Sequence, residues 1–174
     1  MGLGRAITSF AGAGIRLRPA EHDRLRVAFE RGNQLRQLGT GALQFRFTDA
    51  RTSERRSFAD NRWAATPAQL VEPLLARELG AGAGGECKLS LRLDEFVQLF
   101  DGKGKSEVLI SGSMSLRGDR VDGVYARDEF DLRQPAASAD PAAGVAALRQ
   151  ASDALAVRIR DWLKNAPTNA CKSS

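Results

Sequence analysis

"CKLSLRLDEFVQLFDGKGKSEVLISGSMSLRGDRVDGVYARDEFDL", residues 87 to 132, decides the fold. Leu89, Leu91 and Leu93 alternate with polar neighbours, the period of a strand with one face on a core. Val97 and Leu99 keep that parity, while Phe96 and Phe100 take the other. The run is therefore a long strand with a bulge near Asp94-Glu95, or a strand buried on both faces. "DGKGK" turns the chain. "SEVLISGSMSL" answers with Val108, Ile110, Met114 and Leu116 on one face and serines on the other. "RGD" at 117 to 119 reads as another turn, and the chain returns with Val124, Ala126, Phe130 and Leu132. Three strands joined this way form an antiparallel meander.

The flanking segments supply helices and a further strand pair. "ALQFRFTDA" puts Leu43, Phe45 and Phe47 on one face and Gln44, Arg46 and Thr48 on the other, a half-buried strand. A short second strand runs toward Phe58. Thr66 is a good N-cap and Pro67 suits the first helical position. Leu70, Val71, Leu74, Leu75 and Leu79 form an apolar stripe, and Gly80 supplies the stop. Pro73 falls inside and is expected to kink this helix. Asp140 and Pro141 open a second helix, with Val145, Leu148, Ser152, Leu155, Ile159 and Trp162 on one face. The order β-β-α-β-β-β-α gives one mixed sheet covered by helices.

Residues 1–40 are weakly patterned. "EHDRLRVAFERGNQLRQL" fits a helix interrupted at Gly32-Asn33, and "DRLRVAF" fits a strand through Leu25, Val27 and Phe29; the pattern does not choose. The chain divides into this N-terminal segment, which its composition allows to be partly disordered, a single α/β domain over 41–166, and a polar tail over 167–174.

Composition excludes several classes. With 43% hydrophobic and 27% charged residues, the chain of 174 residues is an ordinary globular sequence. No apolar run is long enough for a transmembrane helix. Residues 1 to 62 carry 12 arginines against 6 acidic residues, so the net charge of +5 belongs to the first third. Cys87 and Cys171 are the only cysteines, and two free thiols are expected. "MGLGRAITSFAGAGIRL" lacks a continuous apolar stretch, so no signal peptide is visible, and no lipobox cysteine follows.

Catalytic patterns are sought and not found. His22 is the single histidine, which leaves no triad and no zinc ligand set. "GKGKS" at 102 to 106 fails as a P-loop: Leu99 stands where its first glycine belongs, and a strand follows instead of a helix. "LGAGAGG" leaves a helix and enters a strand, the reverse of a dinucleotide motif. Asp94 and Glu95 point to opposite faces of a strand, and Glu129 and Asp131 read as a solvated outer face. No enzyme activity, cofactor or metal is expected.

"RFTDARTSERRSFADNRWAATPAQLVEPLLARELG", then "RLDEFVQLFDG", a Ser-rich strand and a helix ending "IRDWL" resemble the PqiC-like auxiliary lipoproteins of MCE-type ABC transporters. The resemblance runs from about Ala42 to Leu163. It rests on Arg62-Trp63 before a proline and the first long helix, on Phe96, Gln98 and Phe100 in an F-x-Q-x-F strand, and on Trp162 in the last helix. It implies a three-layer α/β/α domain of the anticodon-binding-like type, with a mixed, roughly five-stranded sheet and two main helices. It also implies a non-enzymatic role in the periplasm, moving lipids between inner and outer membranes. The implied partners are an MCE-domain protein and the ABC permease and ATPase. Anchoring would be to the outer-membrane inner leaflet through an N-terminal lipid that this chain does not display, and self-association is compatible with the pattern.

Two readings compete at the signature residues. Trp63 is either a plug beneath the Thr66 helix or, with Arg62, a partner contact. The alternative function is a small nucleic-acid-binding module using Arg46, Arg51, Arg55, Arg56 and Arg62 with the neighbouring aromatics. Strand parity buries those aromatics, so nucleic acid is not the expected partner.

Overall fold

Asp94 interrupts the alternation of the longest strand. The computed structural model describes residues 5–7, 25–29, 41–48, 54–81, 87–118 and 123–166. In chain order its elements are β1 (Arg5–Ile7), β2 (Leu25–Phe29), β3 (Ala42–Phe47), β4 (Arg56–Trp63), α1 (Pro67–Glu78), β5 (Cys87–Phe100), β6 (Ser106–Gly118), β7 (Val124–Pro135) and α2 (Pro141–Asn165). β5 and β6 pair antiparallel along their length, with a register slip between Leu93 and Glu95. Asp94 is the extra residue of that bulge. Leu93 shares a face with Gly112, and Phe96 then shares it with Ile110. Phe96, Gln98 and Phe100 therefore continue the Leu89–Leu93 face, and Val97 and Leu99 pass to the other.

The meander β5-β6-β7 is present, and β3 joins it in parallel beside the end of β5. β4 pairs antiparallel with β3, and β1 pairs parallel with the end of β4. β2 pairs parallel with the start of β5. The single mixed sheet runs β1-β4-β3-β5-β6-β7, with β2 beside β5. The two strands beyond the expected five come from the weakly patterned N-terminal segment. For residues 25–29 the strand reading holds over the helical one.

The helices form where their caps place them. Thr66 Oγ1 accepts from the Gln69 amide at 3.4 Å, and Gln69 Oε1 accepts from the Thr66 amide at 3.0 Å, a reciprocal capping box. α1 runs on through Pro73. Asp140 Oδ1 accepts from the Ala143 amide at 2.9 Å and opens α2. Both helices bury their apolar stripes in one cluster with Leu43, Trp63, Leu89, Leu91, Leu93, Phe96, Ile110 and Met114. Val97, Leu99 and Leu109 form a separate small cluster on the other face. No described helix lies over them, so the third layer of the expected arrangement is not filled by a described helix.

Close approach explains Gly112. A Cβ there would stand 2.0 Å from the Arg92 carbonyl oxygen and 2.8 Å from the Phe130 ring. Glycine is the residue that fits between the bulged strand and Phe130.

Cys87 is buried at the start of β5 and is disulfide-bonded. This corrects the expectation of two free thiols. Separation along a chain carries no information about separation in space, so spacing alone cannot decide pairing. Cys171, His22 and Arg51 lie outside the described residues, as do the centre of "LGAGAGG", the end of "RGD" and the tail.

Candidate interaction surface

The signature residues separate into a buried set and a surface set. Trp63, at the end of β4, is 7% exposed, and its amide donates to the Gly41 carbonyl at 2.7 Å. Its ring meets Phe96 edge-on, with centroids 5.9 Å apart. Phe96 is buried because the bulge turns it onto the helix-bearing face. Arg62, one residue before Trp63, is exposed and takes Ala42 of β3 and Ala6 of β1 as its register partners. Trp162 is half-buried against the core from α2.

Gln98 is fully buried and does polar work inside the core. Its Nε2 donates to Ser106 Oγ at 2.9 Å and to the Asp140 carbonyl at 3.0 Å. Ser106 Oγ in turn donates to the Ser138 carbonyl at 3.0 Å. The network ties the start of α2 to the β5-β6 hairpin. Gly144 makes room for it, since a Cβ there would lie 2.1 Å from Gln98 Oε1. The Nε2 donor is thus satisfied by two acceptors, whereas Oε1 finds no partner among the described residues. The middle residue of the F-x-Q-x-F strand thus positions a helix.

Phe100 leads outward. β3 lies beside it, and Phe47 is its register partner. Phe45, Phe47, Phe58 and Phe100 form one ring cluster. Phe45 lies 4.5 Å from Phe58, 5.6 Å from Phe100 and 5.9 Å from Phe47, and Phe47 lies 5.8 Å from Phe100. Leu43 begins the same face fully buried, Phe45 is half-buried and Phe47 is 38% exposed. The face of β3 therefore emerges from the core along its length. Thr48 fixes the end, its amide and hydroxyl both donating to the Phe100 carbonyl at 2.9 and 3.3 Å.

Arg46 and Arg55 serve the opposite face. Arg46 follows Phe45 and so points away from the rings. Arg55 Nη2 lies 2.8 Å from Glu95 Oε1 and donates to the Asp94 carbonyl at 3.1 Å. Arg46 Nη1 stands 3.6 Å from the same Glu95 oxygen. Arg55 is 10% exposed and Glu95 17%, so removing one partner would strand a charge, unlike the exposed Lys164–Asp161 pair. The bulge frees the Asp94 carbonyl from its ladder position, and Arg55 takes it up. Arg56 pairs with Glu54 at 3.4 Å on the surface.

Among the described residues, no group of three His, Cys, Asp or Glu could hold a metal ion. No described helix is long and apolar enough to cross a membrane. Glu129 and Asp131 are exposed; Asp131 stands 3.5 Å from Arg133, which also pairs with Glu107 at 2.7 Å.

The ring cluster was not recognisable as a unit in the sequence. Phe45 and Phe47 show the right parity, but the parallel pairing of β3 with β5 that brings Phe100 beside them is non-local and leaves no local signal.

The fold has solved counterparts. A Xanthomonas campestris protein of family-model DUF330 superposes with a TM-score of 0.68 at 22% identity, covering 83% of this chain and 87% of that one. An uncharacterized protein matches with a TM-score of 0.63 at 18% identity, over 82% and 93% of the two chains. These likenesses speak to the fold. No curated relative matches the chain. The family model for the ABC-type transport auxiliary lipoprotein component matches residues 47–160, from the end of β3 through most of α2. The chain thus belongs to the family of ABC-type transport auxiliary lipoprotein components.

Proposed function

We propose that the chain is a non-enzymatic auxiliary component of an MCE-type ABC transport system, working in the periplasm at the outer-membrane end of a lipid-transfer route. The family match over residues 47–160 carries this reading, because it spans β4, α1, the β5-β6-β7 meander and most of α2. The disulfide at Cys87 supports an oxidising compartment. The partners on this reading are an MCE-domain protein and the permease and ATPase of the same system, with anchoring through an N-terminal lipid.

The nucleic-acid alternative lacks comparable support. That reading relies on the arginines of the Arg46–Arg62 stretch being free to face bases stacked on the neighbouring rings. Here Arg46 and Arg55 hold Glu95 on the face opposite the phenylalanines.

Co-expression of the tagged chain with the MCE-domain protein, permease and ATPase of one system tests the proposal. After crosslinking and detergent extraction, the MCE-domain protein is expected to co-purify with the chain. Absence of every transporter component from the eluate, with the chain itself folded, would overturn it.

A further inference from the structure

We infer that the end of the sheet carrying Phe47 and Phe100 docks on an anionic phospholipid surface. Phe47 is exposed yet belongs to a four-ring cluster, unlike the exposed Val124 and Val157. Isolated surface valines need no explanation; a packed aromatic cluster that opens to solvent does. The two Thr48 bonds hold the β3 end against β5, so the rings stand on a fixed backbone.

The charge beside the rings names the occupant. The hairpin tip begins one residue after Phe100. Asp101 Oδ1 accepts from the Lys103 amide at 2.8 Å and the Lys105 amide at 3.0 Å. Its carboxylate orders the turn, whose Gly102 and Gly104 adopt positive φ of 72° and 91°. Lys103 and Lys105 are exposed. Arg56, on the ring-bearing face of β4, is matched by Glu54. The tip therefore presents two lysines against one carboxylate, a net positive charge, next to an aromatic platform. Aromatic side chains favour the boundary between headgroups and acyl chains, and lysines favour anionic phosphates. An anionic bilayer meets both features, whereas an uncharged apolar partner leaves the lysines unmatched. Membership of a lipoprotein family places a bilayer within reach of the chain.

The inference does not depend on which transporter the protein serves. Flotation of the full chain with phosphatidylethanolamine–phosphatidylglycerol vesicles, and with pure phosphatidylcholine vesicles, tests it. Binding to the first and not the second is expected, weakening as salt is raised. Lys103→Ala is expected to lower partitioning about fivefold, the weight of one basic residue near an anionic surface. Phe47→Ser is expected to remove binding while lowering the thermal midpoint only modestly and keeping the chain folded, since the ring is 38% exposed although it packs on Phe45 and Phe100. Failure of the folded chain to float with anionic vesicles overturns the inference. So does equal flotation on phosphatidylcholine that Lys103→Ala leaves unchanged. A Phe47→Ser variant that keeps vesicle binding but loses self-association or transporter capture assigns the rings to a protein contact instead.

Discussion

Trp63 shows what a short signature can mean at the scale of one residue. It ends β4, three residues before the cap of α1, and lies edge-on to Phe96 in the core. Its backbone ties β4 to Gly41 while its ring fills the space behind the bulge. Truncating a buried aromatic removes its transfer free energy and leaves a cavity. Trp63→Ala is expected to lower stability by about 3 kcal/mol or more. Denaturant unfolding measures this, and an unchanged midpoint would contradict the packing described. The sequence left Trp63 open between a plug and a partner contact, and its burial at 7% exposure fits the first. Gln98 was legible only as a motif member. A buried amide between two phenylalanines on a strand has no local rationale until Ser106, Asp140 and Gly144 arrive from elsewhere in the chain.

At the scale of the element, the bulge separates what the sequence told from what it hid. Leu89 and Val97 share parity along the chain, yet they face opposite sides of the sheet because Asp94 adds one residue between them. Sequence periodicity located the irregularity without saying which residues changed sides. The caps were more legible, because each uses residues three apart. Asp140 carries a pH consequence. Hydrogen bonds from the Ser138 hydroxyl and then the Ala143 amide hold its carboxyl below the ordinary value of 3.8. A carboxyl whose pKa is lower folded than unfolded stabilises fully above the unfolded value, and that contribution fades as pH falls through the folded pKa. Asp101 and Asp161 shift the same way, whereas burial raises Asp153, which then favours the folded state more in acid. Asp140→Asn keeps a good cap without the charge. Its thermal midpoint is expected to match the parent near neutral pH and to fall less steeply on acidification below about pH 4. Circular dichroism melts across that range check the slope. Identical slopes would mean that Asp140 contributes nothing to acid sensitivity.

At the scale of the molecule, long-range order was the least legible part. The meander is read easily because its strands are neighbours in sequence. β1, β2 and β3 instead find parallel partners far along the chain, and parallel pairing imposes no turn that a reader could recognise. The disulfide at Cys87 belongs to the same class of constraint. Cys87 stands where β5 meets β2 on one side and β6 on the other, through Leu25 and Gly118. The chain has one other cysteine, Cys171, and an internal crosslink to it is the expected pairing. Such a crosslink closes most of the domain into one loop and restricts the unfolded chain; the loop-entropy model gives about 4 kcal/mol for a loop of this order. Reduction is therefore expected to lower the denaturant midpoint of the monomer, and Cys87→Ala is expected to lower it similarly while abolishing the effect of reductant. Peptide mapping under non-reducing conditions should recover one crosslinked peptide containing both cysteines. A disulfide-linked dimer on a non-reducing gel, or a midpoint indifferent to reductant, would contradict an internal staple and remove one support for an oxidising compartment.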